Sequence, residues 1–101
     1  MASTDVVIDD KIKIDLQEPK LWKVVLLNDD KTPMDWVIHV LMDIFKHSNE
    51  SAQNLTTKIH HEGSAVVGSY YYEIAEQKAA ETMHSSRANG FPLKVTIEEQ
   101  S

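Results

Sequence analysis

The chain contains no cysteine, so no disulfide can brace it and no thiolate is available as nucleophile or metal ligand. Glycine and proline occur only three times each, and no glycine-rich phosphate loop or low-complexity segment is present. Basic residues are scarce. Ten Lys and Arg stand against 16 Asp and Glu, a net charge of −6, so the basic face that nucleic acid or an anionic membrane surface requires is missing. A cationic ligand fits that balance. No apolar run approaches the roughly 18 residues that suggest a membrane span. Met1 to Asp10 have neither the positive start nor the apolar stretch of a signal peptide. The expectation is a soluble, cytoplasmic protein, in which Asn49-Glu50-Ser51 and Asn54-Leu55-Thr56 only imitate glycosylation sites.

What is present suffices for one modest core. The 101 residues are 42% hydrophobic and 26% charged, proportions of a globular chain. Residues 1–20 read as a flexible N-terminal tail, mixed in charge and closed by Pro19, although Lys11 to Leu16 alternate enough for a short edge strand. Residues 21–101 read as one core domain.

Within it, Trp22 to Leu27 form a buried-strand run, ended by Asn28-Asp29-Asp30-Lys31. Thr32-Pro33-Met34-Asp35 then signals a helix start, with Thr32 as cap, Pro33 in the first helical position and Asp35 in the first turn. Met34, Val37, Ile38, Leu41, Ile44 and Phe45 give that helix an apolar face through about Lys46. A second helix starts at Asn49 or Ser51 and stops at Gly63, turning Ala52, Leu55 and Ile59 inward. Ala65 to Tyr70 read as a strand. Glu73 to Ala88 read as a third helix, with Ile74, Ala75, Ala79 and Met83 expected inside and Asn89-Gly90 ending it. Leu93, Val95 and Ile97 alternate with polar residues, as in a half-exposed strand. The order is β-α-α-β-α-β, an α+β fold.

Two constellations invite chemistry that their spacing denies. An EF-hand loop counted from Asp29 would need oxygen ligands where Lys31 and Pro33 stand and glycine at Met34, so calcium is excluded. His60 and His61 are adjacent on a helix and point about 100° apart, so they do not share a metal. His39 and Asp43 have helical spacing but lie on a polar face. No serine-histidine-acid arrangement is legible. Neither an enzyme, a metal site nor a cofactor is expected. What remains is a strand ending in three oxygen-bearing side chains, beside a helix offering Met34 and Val37 and another carrying Thr56 and His60 one turn apart. If the two helices pack together, an acceptor-rich anionic rim adjoins an apolar hollow. On pattern alone, a solvated turn and a surface histidine are the simpler account, because turns collect Asn and Asp.

The stretch Lys23 to Val37, with Asn28-Asp29-Asp30-Lys31-Thr32-Pro33-Met34-Asp35-Trp36-Val37 at its heart, closely resembles the ClpS family of protease adaptors. His60-x-x-Gly63, Glu73-Ile74-Ala75-Glu76-x-Lys78 and Pro92-Leu93 match in the expected order, so the resemblance spans about Leu21 to Glu98. It implies a three-stranded antiparallel sheet backed by three helices. It also implies an adaptor that binds N-degrons, here proteins beginning with Leu, Phe, Tyr or Trp, and delivers them to a ClpA- or ClpC-type AAA+ unfoldase for ClpP degradation. By the same resemblance, Asn28, Asp29 and His60 hold the substrate's α-amine, and Asp30 adds to the negative rim. Thr32, Met34, Val37, Thr56, Ile59 and Leu93 line the hydrophobic pocket, with Met34 rejecting β-branched residues. Glu73 and Lys78 contact the unfoldase, and the tail engages its pore. Two departures stand out: Thr56 replaces a common methionine of the pocket wall, and Tyr71 replaces a small hydroxyl residue that would cap the third helix. The alternative is a regulatory Clp-binding domain without substrate recognition.

Overall fold

A computed structural model describes residues 20–100; apart from Lys20, the expected tail lies outside the described residues. Strand β1 (Leu21–Leu27) leads to helices α1 (Met34–Asp43) and α2 (Asn49–Glu62), then β2 (Ser64–Tyr71), α3 (Tyr72–Ala88) and β3 (Lys94–Glu99). β1 is the central strand, paired antiparallel to β2 on one side and β3 on the other. Central placement explains why Val24, Val25 and Leu26 are all buried in succession, whereas β3 at an edge alternates. Val24 and Leu26 join Val37, Val40, Leu41, Ile44, Phe45, Ala52, Ile59, Ala75 and Leu93 in one core cluster.

A bulge at Val67 of β2, between the pairs Val24–Gly68 and Val25–Val66, leaves one residue outside the ladder. Its carbonyl accepts a 2.7 Å hydrogen bond from His47 Nε2, and the other ring nitrogen, Nδ1, is 3.1 Å from Ser51 Oγ. The α1–α2 turn is thereby tied to the sheet.

The helix ends follow local chemistry that differs from the sequence reading in three places. α1 starts at Met34 with Pro33 in the cap position, and the Thr32 side chain does not cap it. The Thr32 hydroxyl is drawn instead to Asp29. α1 also ends earlier than Lys46, because Lys46 adopts the left-handed conformation at φ 62° while the His47 N–H reaches back to the Leu41 carbonyl. In α3, Ile74 and Met83 are exposed rather than buried; the inward seam is Ala75, Thr82 and Ser86, with Lys78 and Ala79 half-buried. Small side chains let α3 lie close to its neighbours, and a residue next to the seam in sequence is rotated by about 100°. The two hydroxyls on the seam are paired: Thr82 Oγ1 donates to the Lys78 carbonyl, and Ser86 Oγ accepts from Trp36 Nε1, each at 2.8 Å. α2 is closed as expected. Ser48 accepts from the Ser51 N–H, and Gly63 takes φ 94°.

Candidate functional site

The end of β1 and the last turn of α2 are joined through their backbones. The Asn28 N–H donates to the carbonyl of Gly63 at 2.9 Å, which sets the Asn28 turn beside His60. The turn itself is organised by Asp29. Its Oδ1 accepts from the N–H groups of Lys31 at 2.8 Å and Thr32 at 2.7 Å, and its Oδ2 accepts from the Thr32 hydroxyl at 2.7 Å. These bonds form an Asx turn that aims the chain into α1. A carboxylate has about four acceptor positions, so one on Oδ2 is still free.

Partial burial pushes the Asp29 carboxyl upward. The bonds from the Thr32 hydroxyl and the Lys31 and Thr32 N–H groups, helped by the nearby Arg87 guanidinium, outweigh that burial and hold its pKa below the ordinary value. Asp29 is therefore an anion throughout the neutral range.

Between the Asn28 turn, the start of α1 and the second half of α2 lies a hollow of about 360 Å³. Its lining is Asn28, Asp29, Asp30, Thr32, Pro33, Met34, Val37, Thr56, Ile59 and His60. Nine residues expected at a site from the sequence thus meet on one surface feature, and Pro33 joins them. The walls differ in kind. Asn28, Asp30 and His60 are exposed polar groups, Val37, Thr56 and Ile59 are buried, and Met34 is 44% exposed.

Leu93 is 1% exposed and borders an adjoining void of about 10 Å³ that it shares with Asn28, Asp29, Thr32, Val37 and Ile59 of the hollow. Arg87 Nη1 donates to the carbonyls of Leu93 at 2.8 Å and Phe91 at 3.1 Å, tying the entry to β3 to the end of α3. Sequence reasoning missed Arg87 altogether. A basic residue in the last turn of a helix was its one available signal.

The sequence profile of the family described as "ATP-dependent Clp protease adaptor protein ClpS" matches residues 17–96. The chain belongs to the ClpS family of Clp protease adaptors. It is 46% identical over 85 residues to the ClpS adapter protein of Campylobacter jejuni strain RM1221, covering 84% of this chain and 88% of that one. With the corresponding protein of Nautilia profundicola it shares 45% identity over 96 residues, 95% and 97% of the two chains. The fold matches the solved structure of Agrobacterium tumefaciens ClpS2 bound to L-phenylalaninamide with a TM-score of 0.80 at 42% identity, covering 82% of this chain and all of that one. The order β-α-α-β-α-β and the three-stranded antiparallel sheet are those of this ClpS neighbour.

Glu73 and Lys78, the pair that the ClpS resemblance assigns to the unfoldase, lie on α3 outside the hollow. Their surroundings differ. Glu73 is exposed in the first turn, whereas Lys78 is half-buried and its Nζ donates to the Ile44 carbonyl at 2.8 Å. Tyr71 precedes α3 with extended backbone and no side-chain cap.

Proposed function

We propose that this ClpS-family chain is a non-enzymatic, cytoplasmic adaptor, residues 21–101 forming its working domain, that holds proteins by a bulky hydrophobic first residue bearing a free α-amine. The observation that carries the reading is the junction, in one hollow, of an acceptor rim with an apolar wall. An α-ammonium brings three N–H donors and a positive charge, and its partial burial requires acceptors in place of water. The free position on Asp29 Oδ2, the amide oxygen of Asn28 and a neutral nitrogen of His60 supply them, and Asp30 adds negative charge. An internal peptide group offers one uncharged donor and cannot satisfy that set, so the rim reads termini.

The wall then selects among first residues. Burying a Leu or Phe side chain against Val37, Ile59 and Met34 contributes roughly 1.5–3 kcal/mol, enough to discriminate bulky from small side chains. Met34 narrows the entrance and excludes a branched Cβ. L-phenylalaninamide, which the solved ClpS2 binds, has a free α-amine, a phenyl side chain and a capped carboxyl, the chemistry of a peptide's first residue. Delivery proceeds to a ClpA- or ClpC-type unfoldase through the Glu73 and Lys78 surface, for ClpP degradation. The test is degradation of a folded reporter beginning with Phe by an unfoldase and ClpP, with and without the adaptor. Acceleration of that reporter, and not of one beginning with Gly, is expected. Equal treatment of both would leave a regulatory Clp-binding domain without substrate recognition.

A further inference from the structure

Of the buried side-chain nitrogen and oxygen atoms among the described residues, Thr56 Oγ1 alone has no hydrogen-bond partner. Thr56 is 3% exposed and stands on the wall of the hollow, on the same inward face of α2 as Ala52 and Ile59. Thr82 and Ser86, equally buried, both have partners. A buried hydroxyl left unpaired has lost its hydration without compensation. Valine has the same shape and would line the wall without that cost. As packing alone, Thr56 is the wrong residue.

We propose that Thr56 is a specificity-determining residue whose hydroxyl pairs with the polar tip of an aromatic first residue, so that the site prefers tyrosine to phenylalanine. Threonine in a helix has two accessible χ1 wells. Rotation between them exchanges methyl and hydroxyl on the wall without moving the backbone. With the amine held at the Asn28-Asp29-His60 rim, the side chain enters along Met34 and Val37 toward α2. A hollow of about 360 Å³ is at the small end of ligand sites but admits a six-membered ring. A phenol both donates and accepts, so it can meet Oγ1 in either sense, and a buried phenol itself requires a partner. Leucine and phenylalanine have nothing to offer the hydroxyl.

This inference rests on the N-terminal-residue reading above, and its test separates the two. Affinities of peptides differing only in Tyr or Phe at the first position are measured by fluorescence anisotropy competition on the wild type and on Thr56→Val. The wild type is expected to favour the tyrosine peptide by about three- to tenfold, the range of one net hydrogen bond, and Thr56→Val to bring that ratio close to one. Thr56→Ala is a second hydroxyl-free variant should valine disturb folding; it enlarges the hollow equally for both peptides. Thermal melting of the peptide-free Thr56→Val protein is expected no lower than wild type, because an unpaired buried group has been removed. A Tyr-to-Phe ratio unchanged in both variants overturns the role of Thr56 while leaving the adaptor reading intact. Failure of the wild type to bind either free-amine peptide overturns both.

Discussion

Replacing Lys78 with methionine preserves the length of the side chain and removes its charge and its N–H donors. In the folded chain, Nζ donates to the Ile44 carbonyl at 2.8 Å and lies 5.4 Å from the Tyr70 ring centroid and 6.0 Å from that of Phe45. Ile44 is the C-cap of α1, the negative end of that helix. A hydrogen bond from a charged donor is worth roughly 1.5–3 kcal/mol, a cation at a helix C-terminus about 0.3–1, and a partly exposed cation over a ring about 0.5–1. Against these stands the ordering of a long side chain, about 1.5–2 kcal/mol, so the net contribution is about 0.3–3.5 kcal/mol with a midpoint of about 2 kcal/mol. For a domain of this size that midpoint lowers the melting temperature by about 8–16 °C. Glu73→Gln alters an exposed residue and should stay within about 0.5 kcal/mol of wild type. Thermal melting followed by circular dichroism, run beside peptide binding and reporter delivery, separates the two residues. Both variants should lose delivery and retain peptide binding at a temperature where they are folded, but only Lys78→Met should lose stability. A Lys78→Met protein that melts within about 2 °C of wild type would refute the stabilising role.

Met34→Ala should open the entrance to the hollow and admit peptides beginning with Ile or Val, read by anisotropy; persistent rejection of both would place the steric limit elsewhere. Asp29 predicts a pH dependence of stability. Because its folded pKa is depressed, the unfolded chain takes up the proton first as pH falls, so its stabilisation is complete above about pH 4 and is lost below it. The melting-temperature gap between wild type and Asp29→Asn should be constant from about pH 5 to 7 and shrink below about pH 4. A gap that persists unchanged to about pH 2 contradicts the assignment.

The fold was legible where one kind of residue serves one purpose. The apolar run of β1, the face of α1 from Val37 to Leu41 and the glycine closing α2 all lie as the pattern indicates. It was illegible where a seam is made of small or polar groups. Ala75, Thr82 and Ser86 bury α3 through close approach and hydrogen bonds, which apolar spacing does not register, so Ile74 and Met83 were mistaken for its inner face. Thr32 misled for a related reason: a hydroxyl before a helix start suits a cap, and the carboxylate three residues upstream competes for it. At the hollow, individual residues such as Asn28 or His60 say little, and pattern alone favoured a solvated turn. The resemblance to ClpS proteins brought them together, and the Asn28–Gly63 backbone bond is the physical link that no local pattern contained. The bond of Lys78 across to α1 joins residues 34 positions apart, so local spacing does not register it.

The central claim is that the rim binds a free α-ammonium. Acetylation turns that cation into a neutral amide with one N–H and leaves the side chain beneath it unchanged. Titrating fluorescent peptides that begin with Phe, one with a free amine and one acetylated, therefore isolates the rim from the hollow. Loss of the charge-assisted bonds to Asn28, Asp29 and His60 should weaken binding by about tenfold or more, at roughly 1.5–3 kcal/mol for a hydrogen bond involving a charge. Equal affinity for the two peptides would contradict the account.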